Sequence, residues 1–322
     1  MEVFNLTLNQ MLTMFTFIAT GFILKRCNLV SENISAGLSK LEIFVFLPAL
    51  SFSNMSKNFT LSSFKENAAY PIYGLLIVLT AMAVAYPLSA LFVRNSKKDS
   101  KLAYERNIYK YALTFGNYGF MGNYIVLGML GDVMYFKYSL YQFFLGIVCN
   151  TWGIAILTPK GVSKSKAKNI LKKIFSPTFI AILLGVACGL FNISKYIPEF
   201  IRTATANGGA CMGPVAMLLA GIVMGKYDFR KLISIRKVYV ATALRLIVIP
   251  AVICSVLKII GAPQEIMMLS LIAFGTPLGL NTVVFPAAYG GNVKIGASMA
   301  FVSHILSVIT IPIMYYIFTV LL

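Results

Sequence analysis

Residues 115–131, FGNYGFMGNYIVLGMLG, and residues 274–290, FGTPLGLNTVVFPAAYG, align with each other without a gap. Both stretches begin with Phe-Gly, end with Gly and lie inside hydrophobic segments. Glycine, asparagine and proline are poor choices for an ordinary helix at such places. A helix break inside a membrane leaves backbone amides unpaired, which is tolerated only where the break lines a cavity or is buried in protein. Two such breaks in matching halves of a chain are typical of the binding site of a secondary transporter.

The composition of this 322-residue chain indicates a membrane protein. Hydrophobic residues make up 58% of the sequence and charged residues 12%, and the mean hydropathy is +0.81. A soluble domain carries roughly 25% charged residues. The alternating pattern of about ten residues that is typical of a membrane barrel is absent. We therefore predict an all-α membrane protein.

The net charge of +18 does not indicate a nucleic-acid partner. The lysines and arginines cluster in loops between hydrophobic segments. Basic cytoplasmic loops are the ordinary result of membrane topology. We therefore expect the lipid bilayer, and no nucleic acid, as the surroundings of this chain.

Ten segments of the sequence are long and apolar enough to span a bilayer, which takes ~20 residues. With the N-terminus outside, 21 of the 28 lysines and arginines fall in cytoplasmic loops and six in outer loops. The positive-inside rule then places both termini outside the cell. The lysine-rich loops and the lack of a presequence favour a bacterial plasma membrane. The predicted spans are 7–24, 38–54, 69–93, 111–130, 134–158, 177–192, 203–225, 238–259, 266–288 and 296–320.

The sequence divides into two halves of five spans each. Residues 1–158 form the first repeat, residues 159–176 a basic cytoplasmic linker, and residues 177–322 the second repeat. Because five is an odd number, the repeats enter the membrane in opposite senses. Pro48 in span 2 parallels Pro214 in span 7. Together with the interrupted spans 4 and 9, this proline pair predicts an inverted repeat.

Six motifs follow one another in an order that is specific to one family. They are FVFLPAL (44–50), GNYGFMGN (116–123), SPTFIAILLG (176–185), LRLIVIP (244–250), TPLGLNTVVFPAAYGG (276–291) and SHILSVITIPI (303–313). On these motifs the chain resembles the auxin efflux carrier family of membrane transporters, which includes bacterial malate permeases. The resemblance covers nearly the whole length.

The resemblance implies a ten-helix inverted repeat in which the broken helices 4 and 9 cross near the midplane of the bilayer. It also implies a scaffold of spans 1, 2, 6 and 7, a transport domain of spans 3–5 and 8–10, and an elevator-like motion of that domain. The chain departs from the family at Tyr124, where proline is usual, and at His304, where threonine is usual. Without the proline, Gly119, Gly122 and Asn123 are expected to open the first helix.

The two breaks form the predicted substrate site. A break near the midplane exposes the amide end of the next half-helix, which carries partial positive charge. Asparagine amides add donors for a carboxylate, and neither broken span contains Asp or Glu. We therefore predict a site for a small organic anion; the alternative is that the asparagines only cap the broken ends and substrate binds elsewhere along the crevice. The predicted site residues are Asn117, Tyr118, Gly119, Gly122, Asn123, Tyr124, Thr276, Pro277, Gly279 and Asn281.

Three ionisable residues inside spans are candidates for ion coupling or for a counter-charge. Arg245 has three open roles: pairing with substrate, positioning the crossing, or extending to the cytoplasmic surface. Glu42 either binds a coupling ion or pairs with a loop lysine at the interface. His304, the single histidine of the chain, is of the residue type that titrates near neutral pH. It either couples protons or serves as a packing residue.

Enzyme motifs are missing from the sequence: it has no Walker loop, no H-E-x-x-H, no G-x-S-x-G and no histidine pair for a metal. We therefore expect no catalytic residue, no metal and no cofactor. The leading interpretation is a secondary carrier for a small organic anion, with a proton or a sodium ion as candidate coupling ion. The alternatives are a sodium-coupled carrier like the bile-acid symporters and a channel or sensor module. A homodimer is left open.

Overall fold

The structure is a computed structural model that describes residues 2–94, 99–158, 176–288 and 292–321. All regular secondary structure in these ranges is helical, as predicted. The first part of the chain contains α1 (Glu2–Arg26), α2 (Ile34–Leu41), α3 (Leu47–Asn58), α4 (Leu61–Glu66), α5 (Ala69–Phe92), α6 (Ser100–Thr114), α7 (Asn123–Val148) and α8 (Ile154–Leu157). The second part contains α9 (Pro177–Leu190), α10 (Glu199–Gly225), α11 (Phe229–Ile233), α12 (Arg236–Ala243), α13 (Ile249–Ile259), α14 (Gln264–Gly275), α15 (Asn281–Ala288) and α16 (Lys294–Tyr316). The predicted linker at 159–176 lies outside the described residues, apart from Ser176.

Five-residue π-helical turns extend several of these helices. One of them ends just before Leu47-Pro48, and the Leu47 N–H donates to the Glu42 carbonyl five residues back. Proline has no N–H to donate and its ring collides with the preceding turn, so the helix widens there by one residue. A similar turn precedes Pro250. The π-helical turns are Glu42–Phe46, Tyr118–Gly122, Cys149–Gly153, Leu244–Val248 and Ile317–Leu321.

Seven helical runs within the described ranges are long and apolar enough to cross a membrane by length and composition, and two shorter helices, α9 and α14, are also apolar. The longest run, Ser100–Leu157, has 58 residues and is interrupted at residues 115–117. At 1.5 Å per residue it far exceeds the ~30 Å thickness of the hydrocarbon layer. The chain is therefore a multi-pass membrane protein. The count of ten spans and their inverted order stay predictions. The seven runs are Phe4–Arg26, Ile34–Asn58, Leu61–Phe92, Ser100–Leu157, Glu199–Gly225, Arg236–Ile259 and Lys294–Thr319.

The helix that leads into the first break begins earlier than predicted. The sequence placed the start of span 4 at residue 111, whereas α6 begins at Ser100, where the Asp99 side chain accepts from the Lys101 N–H at 2.8 Å. Basic residues in this segment suggested a loop. They instead pack on α5: the Arg106 Nε donates to the Ser89 hydroxyl at 3.1 Å, and Lys110 Nζ lies 4.3 Å from the centroid of the Tyr86 ring. The half-helix before the break is thus a full four turns long.

The spans pack as two sets of neighbours. In one set α1 lies against α10, and α3 lies against α9 and α10. In the other, α5 contacts α6 and α7, α13 contacts α14, and α16 contacts α12 and α14; α14 also contacts α5 and α7. The seam between α1 and α10 is a backbone contact, because a Cβ on Gly21 would lie 2.1 Å from the Leu218 carbonyl oxygen and a Cβ on Gly221 would lie 1.9 Å from the Ile18 carbonyl oxygen.

The two sets meet at the end of α3 near residue 132. Lys57 Nζ lies 2.5 Å from Asp132 Oδ2, and Asn54 Nδ2 donates to the Asp132 carbonyl oxygen at 3.1 Å. The rings of Phe59 and Phe136 pack edge to face with centroids 6.1 Å apart. The sets also touch where α16 lies along α1. Contacts between the sets therefore include an exposed ion pair as well as apolar surface.

The chain changes direction at Gly131, near the middle of the run Ser100–Leu157. Replacing this glycine should destabilise the protein. Its φ of 78° with ψ of −176° lies in a region that is essentially restricted to glycine. We expect Gly131→Ala to lower the free energy of unfolding by ~1–3 kcal/mol, measured by thermal unfolding in detergent. Gly37→Ala is the matched control, since Gly37 is helical and nothing lies within 4 Å of an added Cβ. Equal stability of the two variants would contradict this prediction.

Candidate functional site

Two breaks in the helices touch each other. The chain is non-helical at residues 115–117 and 276–280, inside the two stretches quoted first. The Asn117 backbone N–H donates to the Pro277 carbonyl oxygen at 2.7 Å. A Cβ added to Gly279 would lie 3.6 Å from the Asn117 Cα. Because the breaks pair with each other, backbone groups that the helices release find a partner inside the protein, as a membrane requires.

The first helix opens before the residues that the sequence suggested. Gly119, Gly122 and Asn123 were expected to form the opening, but Tyr118–Gly122 is a π-helical turn and α7 begins at Asn123. The expectation was wrong because local propensity does not distinguish these glycines from Gly116, whose position is fixed by distant parts of the chain. Gly122 instead lies against the Tyr138 hydroxyl.

The second break is held open by proline and by side-chain hydroxyls. Pro277 has no N–H and cannot continue the helix. The Thr276 hydroxyl donates to the Ala273 carbonyl at 3.0 Å. The Leu278 N–H donates to the Ser303 hydroxyl at 2.9 Å. Sequence reasoning did not single out Ser303; its position next to His304 in the SHILS motif was the available signal.

The three asparagines at the breaks differ in their hydrogen bonds. Asn281 Nδ2 donates to the Tyr111 hydroxyl at 2.7 Å, and Asn123 Oδ1 accepts from Gln142 Nε2 at 2.8 Å. The Asn117 side chain forms no hydrogen bond with any residue that the structure describes, and the residue is 7% exposed. Asn117 is therefore the asparagine whose amide is available to a ligand.

Aromatic side chains surround the first break. Tyr118 is half-buried, with its ring 6.4 Å from that of Phe115, and its carbonyl accepts from the Tyr138 hydroxyl at 3.0 Å. Phe115 also lies 5.1 Å from Tyr111 and 6.0 Å from Trp152. The Tyr111 hydroxyl, bound by Asn281, contacts the Cys149 sulfur. Tyr118 was among the predicted site residues, whereas Tyr111, Phe115, Tyr138 and Trp152 were not, because no sequence motif marks their contacts.

Tyr124 lies where the two sets of helices meet. Its ring faces Gly213 of α10, where an added Cβ would lie 2.3 Å from the ring Cδ2. Gln10 of α1 donates through Nε2 to the Tyr124 carbonyl at 3.2 Å. The residue therefore contacts the neighbouring helices α1 and α10 and does not form part of the open segment 115–117.

Arg245 is fully buried at the breaks. Its Nη1 lies 3.5 Å from the Leu113 carbonyl oxygen, and its guanidinium carbon lies 5.9 Å from the centroid of the Phe274 ring. A Cβ on Gly116 would lie 2.1 Å from Arg245 Nη2 and 2.5 Å from the Thr276 hydroxyl. Extension to the cytoplasmic surface, one of the roles left open, is thus wrong for this structure: the side chain turns inward to the crossing of the two breaks.

Glu42 is buried in the π-helical turn before Pro48. Neither of its carboxylate oxygens has a hydrogen-bond partner among the described residues. Pairing with a loop lysine was therefore a wrong expectation for the part of the chain that the structure describes. Lys25 pairs with Glu32 instead and holds the pKa of that loop carboxyl below its usual value.

His304 is buried on α16. Its Nδ1 lies 2.7 Å from the Ala300 carbonyl, which fixes the proton on that nitrogen, and its Nε2 has no partner among the described residues. Within the described ranges no three side chains of His, Cys, Asp or Glu come together as a metal site. The histidine contacts its own helix, so a role in proton coupling stays an expectation.

These features define a multi-pass helical membrane protein with a polar site where two interrupted helices touch. Residues 6–315 match the family described as "Membrane transport protein". The chain belongs to this family, which is the auxin efflux carrier family that the motifs indicated. The protein is accordingly a membrane transporter and not an enzyme.

Two archaeal proteins are similar to the chain over nearly its whole length. An uncharacterized transporter of Methanocaldococcus jannaschii is 23% identical over 312 residues, which cover 94% of this chain and 96% of the relative. An uncharacterized transporter of Methanothermobacter thermautotrophicus is 21% identical over 302 residues, which cover 94% and 95%. Since both relatives are archaeal, they lend no support to the expected bacterial origin.

Proposed function

We propose that this transporter is a secondary carrier that moves a small organic anion, most simply a carboxylate, across the plasma membrane by elevator-like alternating access. The observation that carries the proposal is the side-chain amide of Asn117 at the touching breaks, which has no partner among the described residues. It lies at the start of the half-helix that begins with Tyr118, and the amide end of a helix attracts negative charge. A carboxylate there could accept hydrogen bonds from both.

The charges near the breaks favour an anion over a cation. No Asp or Glu occurs between residues 106 and 131 or between residues 266 and 288. Arg245 brings a buried positive charge to the same place. A sodium-coupled carrier like the bile-acid symporters would be expected to place acidic ion ligands at its breaks, and the two broken segments contain none. The remaining predicted residues, Asn281, Thr276 and Gly279 among them, would line or support the site.

The proposed architecture has ten spans in two inverted repeats, residues 1–158 and 177–322, joined by the basic linker. Spans 1, 2, 6 and 7 would form the scaffold, and spans 3–5 and 8–10 the transport domain, with the breaks crossing near the midplane. The packing of α1, α3, α9 and α10 as neighbours supports this division. In an elevator cycle, the contacts of Tyr124 with Gly213 and Gln10 would have to break and re-form.

Transport by purified protein in proteoliposomes tests the proposal. A thermal-shift screen against monocarboxylates, dicarboxylates and amino acids, with and without sodium, first identifies a compound that stabilises the protein. We expect uptake of that labelled compound to saturate with concentration and to be accelerated by the same compound on the other side of the membrane (counterflow). Both results follow from a site that faces one side at a time. Ohmic single-channel currents without counterflow would contradict a carrier and favour a channel.

The same liposomes identify the coupling ion. Uptake driven by an inward sodium gradient alone would favour the bile-acid-symporter-like alternative. Uptake driven by a pH gradient alone would favour a proton, and Glu42→Gln and His304→Gln then show which carboxyl or imidazole the pH dependence requires.

A further inference from the structure

Two half-helices end at the breaks with their carboxyl ends together. α6 ends at Thr114 and α14 ends at Gly275, and the chain is open directly after each. The carboxyl end of a helix carries about half a negative charge on its unpaired carbonyls. In hydrocarbon such ends repel each other with little screening by water. Two carboxyl ends that meet therefore need about one positive charge between them.

Arg245 lies between these two ends. On the α6 side its Nη1 is 3.5 Å from the Leu113 carbonyl oxygen. On the α14 side it faces the Phe274 ring. A Cβ added to Gly116 would lie 2.1 Å from Arg245 Nη2 and 2.7 Å from the Thr276 carbonyl oxygen, so these two groups are also close to each other. A single guanidinium thus contacts the last turn of both half-helices.

No carboxylate neutralises this guanidinium in the part of the chain that the structure describes. The ion pairs found there are Lys25–Glu32, Lys57–Asp132 and Lys137–Glu265. The Nε and Nη2 of Arg245 make no hydrogen bond with the described residues, so the interaction with the chain is mainly one of charge with dipoles. A buried charge without compensation costs several kcal/mol, and the two helix ends are the compensation available.

We propose that Arg245 is a positioning residue whose charge neutralises the two converging carboxyl ends, so that the amide ends after the breaks keep their positive potential for an anionic substrate. The role in binding an anionic substrate rests on the proposed function. The neutralisation of the helix ends by Arg245 does not depend on it. The role assigned to Arg245 is positioning and not contact with the substrate, because the side chain is fully buried and its Nη2 lies against Gly116.

The first test is stability. Arg245→Lys keeps the charge, whereas Arg245→Met and Arg245→Gln remove it with similar volume; Arg236→Met, at an exposed position, is the matched control. We expect the lysine variant and the control to unfold near the wild-type temperature in detergent, and both neutral variants to unfold at a much lower temperature or fail to fold. If the lysine variant is as unstable as the neutral ones, the guanidinium shape matters and the charge balance is wrong. Neutral variants as stable as wild type would overturn it too.

The second test measures the potential at the amide end without any substrate. A cysteine replaces Gly119, where an added Cβ meets nothing within 4 Å, in a background with Cys27 and Cys211 changed to Ser. Anionic sulfonatoethyl and cationic trimethylammonioethyl methanethiosulfonates then compete for this thiol. We expect the anionic reagent to react faster with wild-type Arg245 and with Arg245→Lys. In Arg245→Gln the ratio of anionic to cationic rates should fall at least ~10-fold.

An unchanged ratio in a folded Arg245→Gln protein would overturn the proposal, because a role in packing alone predicts that result. Absence of reaction with both reagents would overturn it as well, since the amide end would then be closed to solutes. If the ratio behaves as expected but no carboxylate is transported, the charge balance holds and the proposed function fails, so the two failures are distinguishable.

Discussion

Asn117→Ala should reduce uptake in proteoliposomes at least ~10-fold while the protein stays folded. The side-chain amide of Asn117 has no partner among the described residues, so its removal leaves no buried group unpaired. A hydrogen bond to a charged ligand is worth about 1.5–3 kcal/mol, and a tenfold change corresponds to about 1.4 kcal/mol. The initial rate of uptake and its dependence on substrate concentration measure the effect.

Asn150→Ala is the matched control for this prediction. Asn150 is exposed, and its amide donates to the Gly146 carbonyl of its own helix at 2.9 Å. We expect its uptake to be near wild type. Asn281→Ala should also lose uptake, but with some loss of stability, because Asn281 binds the Tyr111 hydroxyl. Full uptake by both Asn117→Ala and Asn281→Ala would remove the breaks from consideration as the substrate site.

Gly116→Ala should disrupt the contact between the two breaks. A Cβ at this position would lie 2.1 Å from Arg245 Nη2 and 2.7 Å from the carbonyl oxygen of Thr276. The second neighbour is backbone and cannot rotate away. We expect a loss of roughly 3 kcal/mol in the free energy of unfolding and loss of uptake, measured by thermal unfolding in detergent and by transport in liposomes.

Gly119→Ala, three residues along, is the control for Gly116→Ala. Nothing lies within 4 Å of a Cβ there, and Gly119 is already helical, so alanine should be neutral or slightly stabilising. Both variants add one methyl group to a glycine of the same motif. A difference in their stability therefore reports the close contact at Gly116 and not a general effect of replacing glycine. Similar stability of the two variants would show that the breaks do not touch as described.

The sequence was sufficient for the class of fold because apolar composition and glycine or proline inside spans are local signals. The all-helical structure, the membrane class and the family were predicted correctly. The position of the first helix break was not predicted correctly, because Gly116 and Gly119 have equal helix propensities. The difference between them comes from Arg245 and Thr276, which are more than a hundred residues away along the chain.

Glu42 illustrates a second limit of sequence reasoning. One of the two roles expected for it was to pair with a loop lysine at the membrane interface. The π-helical turn before Pro48 adds one residue, which is about 100° of rotation around the axis. The carboxyl group is buried in the structure. A π-helical turn has no clear signature in the amino-acid composition. The direction in which a charged residue just before such a turn points is therefore hard to predict from the sequence.

The seam between α1 and α10 has a mechanical consequence. At Gly21 and Gly221 the main chain of each helix lies directly on the opposite helix. A shift of one helix along the other by one residue would bring a side chain into contact with the backbone at these points. We therefore expect α1 and α10 to move together as one rigid unit. Tyr124 contacts Gly213 through a side-chain ring and not through backbone, so under the proposed elevator motion this contact would be the one to give way.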